Sequence, residues 1–176
     1  MLVRVALPTD IQAVMQLANG YEDRLMPYIY DARIMEKFIT HFWVAQSGSS
    51  DKLSGAIHCA YPNNELSYYF LTRIKLVPDK LAKSFSTSSN EIFLGHIVCP
   101  GKGSFGNIVR ALKLVGARLH CYLSVKSPAF SSYTRHGFRF EEPEEIWNSY
   151  KGSTSLFSHG VWEGGTDHGH YTEFKN

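Results

Sequence analysis

Three glycines with the spacing G-x-G-x-x-G, Gly101, Gly103 and Gly106, lie between two apolar segments. The segment before them, Ile92 to Val98, is rich in β-branched residues and predicts a buried strand. The segment after them, Asn107 to Leu114, has apolar residues at helical spacing and predicts a helix. A glycine turn between a strand and a helix leaves backbone N–H groups free, and the helix start adds a partial positive charge. These residues therefore predict a cradle for a phosphate group.

Two widespread phosphate motifs do not fit this cradle. A Walker P-loop ends in Gly-Lys-Ser or Gly-Lys-Thr, whereas Lys102 is followed by Gly103. A dinucleotide site needs an acidic residue about 20 residues further on to bind the ribose. Glu141 and Glu142 come too late for that role. A nucleotide-binding α/β protein that uses the glycines differently stays open as one alternative.

A second pattern follows the cradle. Leu119 to Val125 alternates and predicts a strand, and Ala129 to Arg135 predicts a short helix with Pro128 in its first turn. Gly137 can end that helix in a left-handed conformation, and Phe138 then begins another strand.

A phosphate cradle followed by a strand and by A-x-x-x-Y-x-x-x-G-F resembles the GNAT family of acyltransferases. Tyr133, Gly137 and Phe138 match the second half of this pattern fully. The segment 3–19 is similar to the family's opening strand and first helix. The resemblance implies a single domain over 1–176 with an α/β fold. Its sheet is expected to be twisted, mixed and mostly antiparallel, with about six or seven strands and helices on both faces.

The phosphate loop departs from the family's pattern, R/Q-x-x-G-x-G/A, at two of three marker positions. Gly103 matches the central glycine, but Pro100 stands at the first position and Phe105 at the last. Pro100 has no N–H to donate, and Phe105 could fill the space that a phosphate needs. A non-catalytic protein of this fold that binds acyl-CoA or a partner is therefore a second alternative.

The resemblance implies an N-acetyltransferase that moves an acetyl group from acetyl-CoA to an amine of a small molecule or a peptide. The cradle would hold the pyrophosphate of coenzyme A, and the pantetheine arm would pair with the end of the preceding strand. The cofactor-binding residues expected on this basis are Ile97, Val98, Cys99, Gly101, Lys102, Gly103, Ser104, Phe105, Gly106, Ala129 and Tyr133.

Acyl transfer needs a base for the amine and an acid for the departing thiolate. By resemblance, Tyr133 is the expected general acid. Three sources of the base remain open: His96, whose imidazole has a suitable unperturbed pKa, Glu91 at the start of the same strand, and a relay through ordered water.

Composition limits the partners. The 176 residues carry a net charge of +2, which gives no electrostatic reason to expect nucleic acid or an anionic membrane as a partner. Three cysteines without metal-ligand spacing favour buried thiols in the cytoplasm. We expect a cytoplasmic protein without a metal, and homodimers are common in families like the one it resembles.

The apolar spacing of 63–77 predicts a helix, with one more strand as the alternative, and 78–83 predicts a second short helix. The aromatic stretch 21–30 predicts a loop, either packed on the surface or lining an acceptor site. The acidic run Glu141 to Glu145 predicts a solvated loop and a helix start. A metal site is an alternative at the end of the chain, from His159, Asp167, His168 and His170.

Overall fold

The computed structural model describes residues 1–19, 32–48, 52–61, 64, 90–116, 118–148 and 153–164. The strands are β1 (Leu2–Val5), β2 (Phe42–Gln46), β3 (Leu53–Ala60), β4 (Glu91–Val98), β5 (Arg118–Ser124), β6 (Arg139–Phe140), β7 (Glu144–Asn148) and β8 (Ser153–Glu163). The helices are α1 (Ile11–Asn19), α2 (Ala32–Phe38), α3 (Ser104–Val115) and α4 (Phe130–Arg135), with 3-10 turns at Pro8–Asp10 and Ile39–His41.

These strands form one mixed sheet of eight strands within the described residues. The order is β1-β2-β3-β4-β5-β8-β6, and β7 also pairs with β8. Every pair is antiparallel except β4 and β5, which are parallel and joined through α3. Parallel neighbours need such a crossover, because a short hairpin can only reverse the chain.

Helices cover both faces of the sheet, as the sequence predicted. On one face, Val14 of α1 and Met35 of α2 pack with Phe42 and Val98 in one apolar cluster. On the other face, α3 and α4 pack on Ile57, Leu94 and neighbouring residues in a second cluster. The central strands are therefore buried on both sides, and the fold class predicted from the sequence is confirmed.

The pairing of β4 with β5 stops halfway along both strands. It runs from Glu91 opposite Arg118 to Leu94 opposite Cys121. Beyond that point β4 continues to pair with β3, and β5 continues to pair with β8. The two strands thus separate and leave a cleft at the end of the sheet from which β4 leads into α3.

A bulge in β4 lies where the cleft begins. Ile57 of β3 pairs with Ile97, but Cys59 pairs with Leu94, so β4 has one more residue than β3 in this interval. The extra residue belongs to the Gly95–His96 dipeptide. A bulge re-aims backbone groups and side chains, and bulges are frequent beside functional sites.

Two boundaries differ from the sequence prediction. The helix after the glycines begins at Ser104 rather than Asn107, so it includes the last glycine of the motif. The acidic run leads into strand β7 rather than a helix, because its residues pair with β8 from Glu144 onward. Apart from residue 64, the helices predicted in 63–83 lie outside the described residues, as do the loop 21–30 and the histidines and aspartate at 167–170.

Within the described ranges, no helix has the length and apolar character needed to cross a membrane.

The packing around Gly160 in β8 gives a stability prediction. A Cβ at this position would lie 2.6 Å from Phe140 and 2.7 Å from the Cys121 thiol, both parts of the packed core. We expect Gly160→Ala to lower the free energy of unfolding by about 1–3 kcal/mol, measured by urea denaturation. Gly48→Ala is the matched control, because the nearest atom to its Cβ is 4.0 Å away. Equal stability of the two variants would contradict this packing.

Candidate functional site

The cradle has four backbone N–H groups that make no hydrogen bond within the described residues. They belong to Lys102 and Gly103 in the turn and to Phe105 and Gly106 in the first turn of α3. Gly103 precedes the helix with a φ of 79°, a left-handed conformation that favours glycine. Free N–H groups at a helix start, together with the helix dipole, bind anions.

The other two N–H groups of the loop hold it against the sheet. Gly101 donates to the Ser54 carbonyl of β3 at 2.9 Å, and Ser104 donates to the Gly101 carbonyl at 3.0 Å. The Ser104 hydroxyl also donates to the Ser54 hydroxyl at 3.0 Å. A Cβ on Gly101 would lie 2.6 Å from Ser54, so only glycine allows this approach. Gly101 and Ser104 were both predicted to bind phosphate. In the structure their N–H groups instead hold the loop in place.

Three cations on α3 and α4 lie near His136, whose ring is close to Gly106. Burial lowers the pKa of His136, and the nearby charges of Lys113, Arg110 and Arg135 lower it further. Lys102 is exposed in the turn itself. Cations beside a cradle of N–H donors favour a ligand with negative charge.

The Phe105 ring packs towards α4. Its centroid lies 4.9 Å from that of Tyr133 and 5.4 Å from that of His136, both in edge-on contacts. A Cβ on Gly106 would lie 2.9 Å from the His136 ring, so this glycine permits the close contact of α3 with α4. The Phe105 side chain therefore joins the core, while its N–H makes no hydrogen bond within the described residues.

Tyr133 on α4 is completely buried among aromatic rings. Its hydroxyl makes no hydrogen bond to any described residue. Burial raises its pKa well above the usual value, with smaller effects from the thiols of Cys121, Cys99 and Cys59. Buried hydroxyls are nearly always paired, so an unpaired one calls for a functional explanation. The hydroxyl is protonated at neutral pH and keeps a proton to donate.

The thiols around Tyr133 are unreactive by environment. Burial raises the pKa of Cys99 to about 12, and it also raises the pKa of Cys59 and Cys121. The thiolate is the reactive form of cysteine, so none of the three is suited to nucleophilic chemistry at neutral pH.

The strand edge predicted to meet the pantetheine arm borders the cleft. Ile97 and Val98 pair with Ile57 and Ala56 of β3 on one side only. Backbone groups of a strand alternate between its two sides, so part of this segment faces the gap towards β5. Ala129, just before α4, accepts the Tyr133 N–H at 3.1 Å and so fixes the start of that helix.

The two predicted bases lie on the face of the sheet away from Tyr133. His96 is close to His58, and burial lowers its pKa to about 4, so it is neutral but weakly basic at pH 7. Glu91 is buried at the other end of β4, and Arg118 contacts its carboxylate at 3.2 Å. The structure therefore does not bring Glu91 to the cleft where Tyr133 lies.

Sequence reasoning missed the polar residues of β5 and β8 on that same face. His120 and Tyr122 alternate with buried Cys121, and His159 lies opposite Tyr122. Burial raises the pKa of Tyr122 to about 12, and the negative charge of Glu144 also raises it. The Tyr122 hydroxyl makes no hydrogen bond among the described residues. The alternation of polar and apolar residues in 119–123 was the available signal.

Known structures share this arrangement of strands and helices. An N-acetyltransferase from Staphylococcus aureus Mu50 is 17% identical with a TM-score of 0.60, and the match covers 92% of this chain and all of that one. A ribosomal-protein-alanine N-acetyltransferase from Brucella melitensis is 12% identical with a TM-score of 0.63, again over 92% of this chain and all of that one. A Mycobacterium tuberculosis protein in complex with CoA is 17% identical with a TM-score of 0.56, over 89% of this chain and 98% of that one.

These likenesses show that the chain has the fold of the GNAT acetyltransferases, as the resemblance in its sequence implied. No protein-family model matches the chain, and no curated protein matches it. At identities of 17% and 12%, the fold is shared while the residues are largely different.

Two tyrosines allow a matched test of the unpaired hydroxyl. Tyr61 accepts a hydrogen bond from the Trp43 indole at 2.9 Å, whereas Tyr133 has no such partner among the described residues. We expect Tyr61→Phe to lower the free energy of unfolding by about 1 kcal/mol. Tyr133→Phe should leave it unchanged or raise it, because it removes an unsatisfied buried group. Urea denaturation measures both, and a loss of stability in Tyr133→Phe would contradict the assignment.

Proposed function

We propose that the protein is an N-acetyltransferase that transfers an acetyl group from acetyl-CoA to an amine of a small molecule or a peptide. The observation that carries this proposal is the cleft between β4 and β5. It opens at the same end of the sheet as the N–H groups of Lys102, Gly103, Phe105 and Gly106, which make no hydrogen bond within the described residues. A ligand with a pyrophosphate and an extended arm fits both features at once. N-acetyltransferases among the structures of the same fold, and one complex with CoA, support it further.

Coenzyme A fits the cradle by the chemistry of its donors. The N–H groups of Lys102, Gly103, Phe105 and Gly106 would bind the pyrophosphate, and the Lys102 side chain would add charge. The arm would follow the free edge at Ile97 to Cys99 towards the cleft. Gly101 and Ser104 would keep the loop in place through Ser54.

Tyr133 would act as the general acid. Acetyl transfer forms a bond from the amine nitrogen to the acetyl carbon and breaks the bond from that carbon to sulphur. The amine loses one proton and the departing sulphur gains one. The Tyr133 hydroxyl, protonated and without a partner among the described residues, would donate to the sulphur.

One observation favours the non-catalytic alternative. Phe105 covers Tyr133 with an edge-on ring contact, and Tyr133 is completely buried. If Phe105 kept that position when a ligand bound, the hydroxyl would not reach the sulphur, and the protein would bind acyl-CoA without transferring the acetyl group.

Binding of acetyl-CoA is the first prediction of this proposal. At about 100 times its dissociation constant, acetyl-CoA should stabilise the protein by about 2.7 kcal/mol, which is about 5–10 °C in thermal unfolding. NAD and ATP are the control ligands. Gly103→Ala should weaken the shift, since its left-handed conformation strains any other residue. A shift with NAD or ATP instead would assign the cradle to another nucleotide.

Turnover separates the enzyme from the non-catalytic alternative. Thiol release from acetyl-CoA in the presence of amines is the measurement. We expect Tyr133→Phe to bind acetyl-CoA as the parent protein does but to release thiol about 10²–10⁴ times more slowly. Binding without thiol release in the parent protein, over a panel of peptide and small amines, would favour the non-catalytic alternative.

A further inference from the structure

Charge is distributed unevenly along the chain. The segment 92–140 contains seven Lys and Arg residues and no Asp or Glu, although the whole chain has a net charge of only +2. The rest of the chain therefore carries a negative net charge. The segment includes the cradle, β5, and both helices of the face on which the cradle lies, α3 and α4. Charge of one sign concentrated on one face favours a ligand of the opposite sign.

Two exposed arginines on these helices have no acidic partner among the described residues. Arg110 of α3 donates to the Asn107 side chain at 3.1 Å. Arg135 of α4 donates to the Ser131 carbonyl at 3.3 Å and to the Ser132 hydroxyl at 3.4 Å. Each partner lies three or four residues earlier, so both guanidinium groups fold back towards the start of their helix. Both helices start at the end of the sheet where the cleft opens.

Other arginines of the described residues are neutralised by carboxylates. Arg118 contacts Glu91 at 3.2 Å and Glu163 at 2.5 Å. Arg4 contacts Asp10 at 2.6 Å. These ion pairs join strands to each other or to the first helical turn, whereas the two arginines of α3 and α4 keep a charge that no described carboxylate neutralises.

The His136 ring lies between these arginines and the cradle. It is half-buried, and a Cβ on Gly106 would lie 3.0 Å from its Nε2. Its ring nitrogens make no hydrogen bond among the described residues. Burial lowers the pKa of His136 most, and the charges of three nearby cations lower it further. These cations are Lys113, Arg110 and Arg135.

Helix geometry relates this positive region to the cradle. Gly106 and Arg110 are four residues apart, so they lie on the same face of α3, about 6 Å apart along its axis. Lys113 follows on that face, where its Nζ donates to the His136 carbonyl at 2.6 Å and lies 4.7 Å from the centre of the Trp162 ring. Lys113 thus holds α4 against α3. A ligand with one phosphate on the cradle would bring a neighbouring anionic group to the arginines.

Coenzyme A carries such a neighbouring group. Its pyrophosphate is attached to carbon 5 of the ribose, and a phosphate monoester is attached to carbon 3 of the same ribose. A phosphate monoester has a charge of about −1.5 to −2 at pH 7, and guanidinium groups bind it through paired hydrogen bonds. NAD and ATP lack this group.

We propose that Arg110, Arg135 and His136 form a second anion subsite, which binds the 3′-phosphate of coenzyme A. The proposal rests on the coenzyme A site proposed above and concerns the part of the cofactor that lies beyond the cradle. The two guanidinium groups donate to the phosphate oxygens, and His136 donates one N–H through Nε2. The subsite makes the protein select coenzyme A over dephospho-coenzyme A, which lacks only this phosphate.

Equilibrium binding tests the selection. Isothermal titration calorimetry at about 0.1 M salt gives the dissociation constants of both coenzymes. We expect the parent protein to bind coenzyme A at least about 10 times more tightly than dephospho-coenzyme A. Arg110→Gln and Arg135→Gln should each reduce this ratio about 3- to 5-fold, and the double variant should bring it below about 2. Adenosine 3′,5′-bisphosphate and AMP give the same comparison without the pantetheine arm.

Arg139→Gln is the matched control for loss of charge. Arg139 is an exposed arginine of the same segment, on β6, and it is not part of the subsite. Its replacement should leave the ratio between the two coenzymes unchanged. If all three arginine variants instead lowered the affinity for both coenzymes equally, the arginines would attract anions in general, and the subsite would be wrong.

His136 reports the bound phosphate directly. In protein labelled with nitrogen-15, the imidazole signals of His136 are followed against pH with each coenzyme at saturation. We expect coenzyme A to raise the pKa of His136 more than dephospho-coenzyme A does, because the added phosphate opposes the surrounding cations. Equal pKa values in the two complexes would contradict a phosphate beside this ring.

The outcomes separate the subsite from the proposed function. If the parent protein binds the two coenzymes with affinities within about two-fold, the subsite is wrong while the coenzyme A site stands. If it binds neither, the coenzyme A site and the subsite fall together. If it prefers coenzyme A as expected but releases no thiol from acetyl-CoA with any amine, the subsite stands and the transferase activity falls.

Discussion

The candidate site depends on the parallel pairing of β4 with β5. Parallel neighbours require a crossover, here through α3, and this crossover starts at the end of β4 where the pairing has stopped. The cleft and the helix start therefore lie at the same end of the sheet. In open α/β sheets, ligands bind outside the carboxyl ends of such strands for this reason. An all-antiparallel sheet would offer neither the gap nor the helix N-terminus.

The period-two alternation of β5 divides the chemistry between two faces. Cys121 faces α3, α4 and the Tyr133 hydroxyl, whereas His120 and Tyr122 face the other way. Successive side chains of a strand point to opposite faces, so the strand backbone separates these two sets of groups.

The sequence predicted the fold better than the site. The strand, glycine turn and helix of 92–114 and the pattern around Tyr133 are local features, and local periodicity is what a sequence shows most directly. The end of the β4–β5 pairing, the bulge at Gly95–His96 and the contact of His120 with His159 depend on register between distant strands. His159 is 39 residues from His120, and only the antiparallel pairing of β5 with β8 brings them together. The same limit explains why the acidic run after Phe140 predicted a helix start and forms strand β7.

The departures of the loop from the GNAT pattern lie at Pro100 and Phe105, whereas the N–H groups without a hydrogen bond among the described residues belong to the backbone from Lys102 onward. Pro100 lacks an N–H, but it comes before these four groups, so none of them is lost. Phe105 replaces a small residue, yet its ring packs on Tyr133 and His136 and its own N–H remains one of the four donors. The anchoring of Gly101 on Ser54 needs only the absence of a Cβ. A loop held in this way can keep its N–H groups in place while its sequence diverges, because few side chains take part in the geometry that binds an anion.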